Sequence, residues 1–200
     1  MTTKRFDPSR AHRLDRPERM TWLPPAEVIL ALGLEAGESV ADIGAGTGYF
    51  TLPMANAVGS SGRVYAVDAQ PQMLELLRQK LDPAANSNIE LVQAEADSTQ
   101  LPASSCDLVY LANVWHEFDD RPAVLREARR VLKDSGRIAI LDWRPDVEPE
   151  HGPPLAIRLT AQSAVAELAA AGFGGQSQRD IGKYSWLVQA QVQARRGTPR

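Results

Sequence analysis

The segment Asp42-Ile43-Gly44-Ala45-Gly46-Thr47-Gly48 sets three glycines at alternate positions, two residues after an aspartate. Glycines let a backbone turn sharply and approach a ligand closely, and the free N–H groups of a following helix start point at that ligand. Such a loop suits a nucleotide-type ligand; its alternative is a tight strand-to-helix turn with nothing bound. A dinucleotide site wants Gly-x-Gly-x-x-Gly, and Tyr49 stands where the last glycine would fall. Asp42 puts an anion beside the loop, which suits an ammonium group better than a pyrophosphate. Asp68 follows Gly48 by 20 residues, and a carboxylate there, with Ala69 beside it, can accept from both hydroxyls of a ribose. Asp97, in Glu95-Ala96-Asp97-Ser98, is placed to accept from an adenine amino group, or is an ordinary loop aspartate.

These residues need a scaffold that brings strand ends together. Five short β-rich runs, at 39–43, 63–67, 89–93, 107–112 and 137–141, end 24, 26, 19 and 29 positions apart. Runs so apolar, spaced so widely, fit parallel strands joined by helical crossovers, an α/β class. Helical periodicity fills 49–58 and 72–81, with Pro71 suited to a first turn. Asp120 can cap a helix carrying Val124, Leu125, Ala128, Val131 and Leu132, with Gly136 expected to end it by a left-handed turn. The stretch 94–106 contains Pro102 and little periodicity, so it reads as a loop. Thr160 starts a helix through Ala171 that ends at Gly172. Runs at 176–181 and 186–193 flank Gly182-Lys183, a close turn that implies antiparallel pairing.

The chain of 200 residues is 44% hydrophobic and 24% charged with a net charge of -3, the balance of one ordinary globular domain. Its single cysteine, Cys106, excludes an intramolecular disulfide, and three scattered histidines leave no structural zinc cluster, so no metal is expected. Residues 1–10 are polar and charged, so no secretory signal is expected, and the longest apolar stretch, 28–34, is too short to span a bilayer. No membrane insertion and a cytoplasmic location follow as expectations. Residues 1–20 carry six Lys/Arg against three Asp/Glu and residues 191–200 carry three Arg and no acid. The remaining body is acidic and repels phosphate, so nucleic acid is not the expected partner. The expected organisation is an N-terminal arm and helix over 1–35 that could serve as a lid, a catalytic domain over 36–194 and a basic tail over 195–200.

The residues resemble those of the class I S-adenosylmethionine-dependent methyltransferases, small-molecule branch, including the ubiquinone/menaquinone-type and type 11 enzymes. Residues 42–48 are similar to the family's first motif, Val64-Tyr65-Ala66-Val67-Asp68 to its second, Asp97-Ser98 with Leu101-Pro102 to its third, and 107–118 to its fourth. The resemblance implies a Rossmann-like, doubly wound seven-stranded sheet of order 3-2-1-4-5-7-6 with strand 7 antiparallel. It also implies S-adenosyl-L-methionine as cofactor. Asp42 and the loop Gly44, Ala45, Gly46, Thr47 and Gly48 would hold the methionine part, Asp68 and Ala69 the ribose, Asp97 and Ser98 the adenine, and Asn113 would line the methionine end.

Asn113-Val114-Trp115-His116 replaces the Asn-Pro-Pro-Tyr tetrapeptide of many base- and amide-methylating relatives. A small-molecule acceptor is therefore expected. Methyl transfer is an in-line displacement, in which alignment supplies most of the rate. A base helps only where the acceptor carries a proton; His116 is the candidate catalytic residue, with pocket lining as its alternative. Trp115 and Trp143 could wall an acceptor or belong to the core. His12 and His151 have no partner at readable spacing and are expected to be exposed. A nicotinamide-dependent reductase on the same glycine loop and a non-catalytic binding module stay open beside the methyltransferase. Oligomeric state is not encoded in any readable feature.

Overall fold

The computed structural model describes residues 5–193; the expected basic tail, 195–200, lies outside the described residues. In chain order, a 3-10 turn over Pro8–Arg13 leads to α1 (Arg19–Trp22) and α2 (Pro25–Leu32). Then follow β1 (Ser39–Ile43), α3 (Thr51–Val58), β2 (Arg63–Asp68), α4 (Pro71–Arg78), β3 (Ile89–Gln93), β4 (Cys106–Ala112), α5 (Arg121–Val131) and β5 (Leu132–Trp143). The chain closes with α6 (Ala161–Ala170), β6 (Phe173–Ile181) and β7 (Ser185–Val192). The seven strands form one sheet in the order β3-β2-β1-β4-β5-β7-β6. β7 runs antiparallel to both β5 and β6, while the other pairs are parallel.

The central strands are apolar on both faces because both are covered, as parallel sheets require. On β4, Leu108 and Tyr110 join the layer of α2 and α3 with Val28, Phe50 and Met54. Val109 and Leu111 point the other way, against Leu125 and Val131 of α5 and Leu168 of α6. Among the described residues no helix is long and apolar enough to cross a membrane, and no group of three or more His, Cys, Asp or Glu could hold a metal ion.

Most helix ends follow the sequence. Asp120 accepts from the Ala123 N–H and Thr160 from the Ser163 N–H, satisfying donors that a first turn leaves free. Gly182 turns β6 into β7 at φ +55°. Gly136 departs from expectation: α5 ends at Val131, the chain passes directly into β5 through Leu132 at φ -70°, ψ 139°, and Gly136 lies inside the strand. A side chain there would come within 2.9 Å of the Lys133 carbonyl and 3.2 Å of the Cys106 carbonyl, so this glycine serves close packing and not a helix cap. The stretch after β3 has no helix, as expected. It is pinned to α5 by Glu127, whose Oε1 accepts from both the N–H and the hydroxyl of Thr99.

Candidate active site

A cavity of about 560 Å³ opens where β1, β2 and β4 end, lined by Ile43, Asp68 and Ala112 and by the loops that follow them. Parallel α/β sheets place ligands at this end of the strands, and the volume is that of a small-molecule site. Asp42, Gly44, Ala45, Gly46, Thr47, Asp68, Ala69, Asp97 and Asn113 all line it. Gly48, Ser98 and His116 do not. Gly48 (φ +86°) faces α4, where a Cβ would overlap Leu77 Cδ1. Ser98 is exposed, in a turn whose N–H donates to the Glu95 carbonyl.

The glycine loop is braced from β2. Asp68 Oδ2 accepts the Gly46 N–H at 2.8 Å and Oδ1 the Gln70 N–H at 2.9 Å, so each oxygen keeps a lone pair for a ligand. Gly44 (φ +76°) packs so closely that a Cβ would stand 2.6 Å from Val114 Cγ1, whereas at Gly46 (φ +56°) the nearest atom would be Leu14 Cδ1 at 3.5 Å. The open face of the loop is therefore at Gly46.

Asp42 is 2% exposed, and its Oδ2 accepts from the Thr51 hydroxyl at 2.6 Å. Burial pushes its carboxyl up to about 7, opposed by the Thr51 hydrogen bond and assisted by the Asp68 charge. Asn113 follows β4 with φ +58°, a left-handed conformation that asparagine tolerates. Its side-chain Oδ1 and Nδ2 are both buried without a hydrogen-bond partner, a cost normally avoided unless a ligand supplies the bonds.

The N-terminal arm forms one wall, through Arg5, Phe6, Leu14 and Arg19. The Phe6 N–H donates to Glu117 Oε2 and its carbonyl accepts from Gln70 Nε2. Asp15 accepts from the Thr47 hydroxyl at 2.8 Å and from Lys80 Nζ at 2.6 Å. Arg19, 8% exposed, lies 3.9 Å over the Tyr49 ring and donates to the Leu14 carbonyl. Burial draws its guanidinium down to about 10, so it stays charged at neutral pH.

His116 stands behind the wall, in a 3-10 turn over Trp115–Glu117. Its Nδ1 lies 2.9 and 3.0 Å from the two oxygens of Asp142 on β5, and its own N–H donates to Asp142 Oδ2. Burial pulls the imidazole down, but the Asp142 hydrogen bond and the Asp142 and Glu117 charges outweigh it and leave the group above its ordinary value. The neighbour that reaches the cavity is Glu117. Trp115 is core: fully buried, it donates from Nε1 to Glu167. Trp143 packs 5.4 Å from Trp22, and His151, expected to be exposed, is half-buried and stacks on Trp22 at 4.6 Å.

Sequence reasoning thus missed Phe6, Arg19, Glu117 and Asp142. Asp142 carried one usable signal, a carboxylate near the end of a strand beside the one bearing Asn113. Arg19 carried none, because the arm has no readable periodicity.

The methyltransferase domain family matches residues 41–140. The ubiquinone/menaquinone biosynthesis C-methyltransferase UbiE of Hahella chejuensis is 39% identical over 118 residues, 58% of this chain and 47% of that protein. The UbiE of Cronobacter sakazakii is 31% identical over 160 residues, 79% of this chain and 61% of that protein. The chain thus spans about half to three-fifths of the length of these curated relatives. A crystal structure of a SAM-dependent methyltransferase from Aquifex aeolicus superposes with a TM-score of 0.88 at 31% identity, covering 94% of this chain and 100% of that one. Sheet order, glycine loop and sequence relatives converge, and the chain belongs to the class I S-adenosylmethionine-dependent methyltransferases of the methyltransferase domain family.

Proposed function

We propose that this chain moves a methyl group from S-adenosylmethionine to a small-molecule acceptor by in-line displacement. The observation that carries the reading is the unpartnered, buried amide of Asn113, which lines the same cavity as the open face of the glycine loop. Asp42 and Arg19 line the same cavity, an acid that an ammonium would ionise and a guanidinium that would meet a carboxylate, which matches the two charges of an amino-acid head. Asp68 would take the ribose hydroxyls and Asp97 the adenine amino group. When bound, the cofactor supplies a methyl group activated by a sulfonium. The arm within 1–35 serves as the lid of the domain over 36–194, and closing it excludes water from the transfer.

Asn113→Gly keeps the left-handed backbone and removes only the amide. Since that amide has no partner in the ligand-free protein, thermal stability should hold while S-adenosylmethionine affinity falls by roughly 2- to 12-fold, one hydrogen bond's worth. A calorimetric titration paired with a melting curve checks both. A destabilised variant with normal affinity would remove Asn113 from the site.

Asp42 predicts a pH dependence. Its folded pKa lies above the unfolded value, so the stability it contributes is present below about pH 4 and lost as pH rises through about 7. An ammonium placed against it favours the carboxylate, so binding should expel a proton and tighten as pH rises through neutrality. Titration in buffers of different ionisation heat measures that proton, and Asp42→Asn should abolish this release.

The acceptor side is apolar and acidic: Phe6, Val114, Phe118 and Val124 line it, and the cavity holds seven carboxylates against two arginines. A neutral ring fits this wall better than a phosphate or nucleic acid. The curated relatives are named for C-methylation in ubiquinone and menaquinone biosynthesis, so a quinol is the first acceptor to test. With methyl-labelled S-adenosylmethionine, label should enter the quinol and neither an aliphatic amine nor duplex DNA. Label confined to DNA would contradict the small-molecule reading.

A further inference from the structure

We propose that Glu117 is the proton acceptor of this site, held and tuned by the buried pair His116–Asp142 behind it, and that the molecule methylated carries a proton on the reacting atom. The inference rests on the methyltransferase reading and deepens it. Glu117 lines the cavity, and His116, the histidine that sequence alone offers as a base, does not. The three groups form a line from the end of β5 to the cavity. Asp142 is fully buried and its oxygens are occupied: Oδ1 accepts from the Trp143 N–H at 2.8 Å, Oδ2 from the His116 N–H at 2.9 Å, and both face His116 Nδ1. A carboxylate so placed accepts only, so Nδ1 carries a proton and the ring is fixed in orientation. The other ring nitrogen, Nε2, stands 4.0 Å from Glu117 Oε1. Nδ1 is taken by Asp142 and the imidazole does not line the cavity, so the group that faces an acceptor is the Glu117 carboxyl.

The groups around Glu117 come from four elements. The 3-10 turn supplies His116, β5 supplies Asp142, β2 supplies Asp68, and the arm supplies the Phe6 N–H, which donates to Oε2 at 3.2 Å. Burial raises the carboxyl, the His116 charge and the Phe6 hydrogen bond lower it, Asp142 and Asp68 raise it, and the balance stands at about 7. That is the range in which a carboxylate both exists at neutral pH and accepts a proton with useful driving force. The step is a proton transfer: at an oxygen acceptor the O–H bond breaks, its electron pair stays on oxygen as the nucleophile and a new O–H bond forms on Glu117. At a ring carbon the ring's π electrons form the new C–C bond first, and Glu117 then takes the ring proton, whose C–H electron pair restores the aromatic ring. Solvent later takes the proton. The acceptor class that needs this is a phenol, methylated at its oxygen or at a ring carbon made electron-rich by a neighbouring hydroxyl. An acceptor already anionic needs no base and is repelled by the acidic wall.

The test is an NMR titration of the full chain with 13C-labelled glutamate carboxyls and 15N-labelled histidine, assigned with Glu117→Gln and His116→Gln. The expected result is a Glu117 carboxyl that titrates near neutrality, moves up in His116→Gln, and lowers the His116 midpoint by the same amount when it is removed in Glu117→Gln. Equal and opposite shifts are what linkage requires of two charged neighbours, and the midpoint near neutrality is what suits the Glu117 carboxyl to proton acceptance. Two variants read the coupling from both ends, so it stays measurable if one of them folds poorly. A Glu117 carboxyl titrating in the ordinary range, unmoved by His116→Gln, overturns the proposal. S-adenosylmethionine is titrated on the same samples. Affinity in Glu117→Gln within about threefold of the parent supports a group facing the acceptor, and a loss of tenfold or more places Glu117 on the cofactor and overturns it. Failure of the parent chain to bind S-adenosylmethionine would instead sink the methyltransferase reading, with the carboxylate–imidazole coupling measured independently.

Discussion

Asp68→Ala is expected to weaken S-adenosylmethionine binding by about 1–3 kcal/mol, roughly 5- to 150-fold, because on the proposed reading two ribose hydroxyls lose a charged acceptor. The variant does more than empty a subsite. The N–H groups of Gly46 and Gln70 both end on this carboxylate, so its loss also frees the glycine loop at the position where the loop is most open to a ligand. Asp68→Asn separates the two effects. It keeps the size and one accepting oxygen, turns a donor toward one backbone N–H, and should fall between the parent and the alanine variant. Calorimetric titration decides, and an unchanged affinity in Asp68→Ala would mean that the carboxylate does not touch the ribose.

The second large effect concerns stability. In Gly48→Val a β-branched residue must adopt φ +86°, at a cost of about 1–2 kcal/mol, and its Cβ overlaps Leu77 of α4, adding about 1–3 kcal/mol. The total of about 2–5 kcal/mol lowers the melting temperature by roughly 4–20 °C for a chain of this size. Gly46→Val gives the opposite balance. Its added Cβ meets no closer protein atom than Leu14 Cδ1 at 3.5 Å, so the side chain enters the cavity and cofactor binding fails before folding does. Melting curves and cofactor titrations on both variants test the distinction; equal stability losses would show that the two glycines do the same work.

The sheet was legible because its central strands are covered on both faces and so read as short apolar runs between glycine and proline punctuation. The reversed strand was legible because Gly182-Lys183 leaves room only for a hairpin. Gly136 misled for a physical reason: a glycine after a helix suggests a left-handed cap, while here the missing side chain lets β5 approach the Cys106 carbonyl. The wall of the cavity was largely legible, since the motif carrying Asp42 to Thr47 is contiguous and Asp68 closes the next strand. The partners of His116 were not, because Asp142 is 26 residues away and meets it only through the parallel register that sets Ala112 beside Leu141. His151 was misjudged likewise: its partner is Trp22, on an arm at the far end of the chain, and no spacing announces that stack.

Whether the glycine-loop site is built for S-adenosylmethionine is decided by measuring the heat of binding of S-adenosylmethionine, its demethylated product and NADH to the chain in parallel. The first two should bind with one site per chain, and NADH should give no saturable heat. NADH binding with no response to S-adenosylmethionine would overturn this assignment of the site.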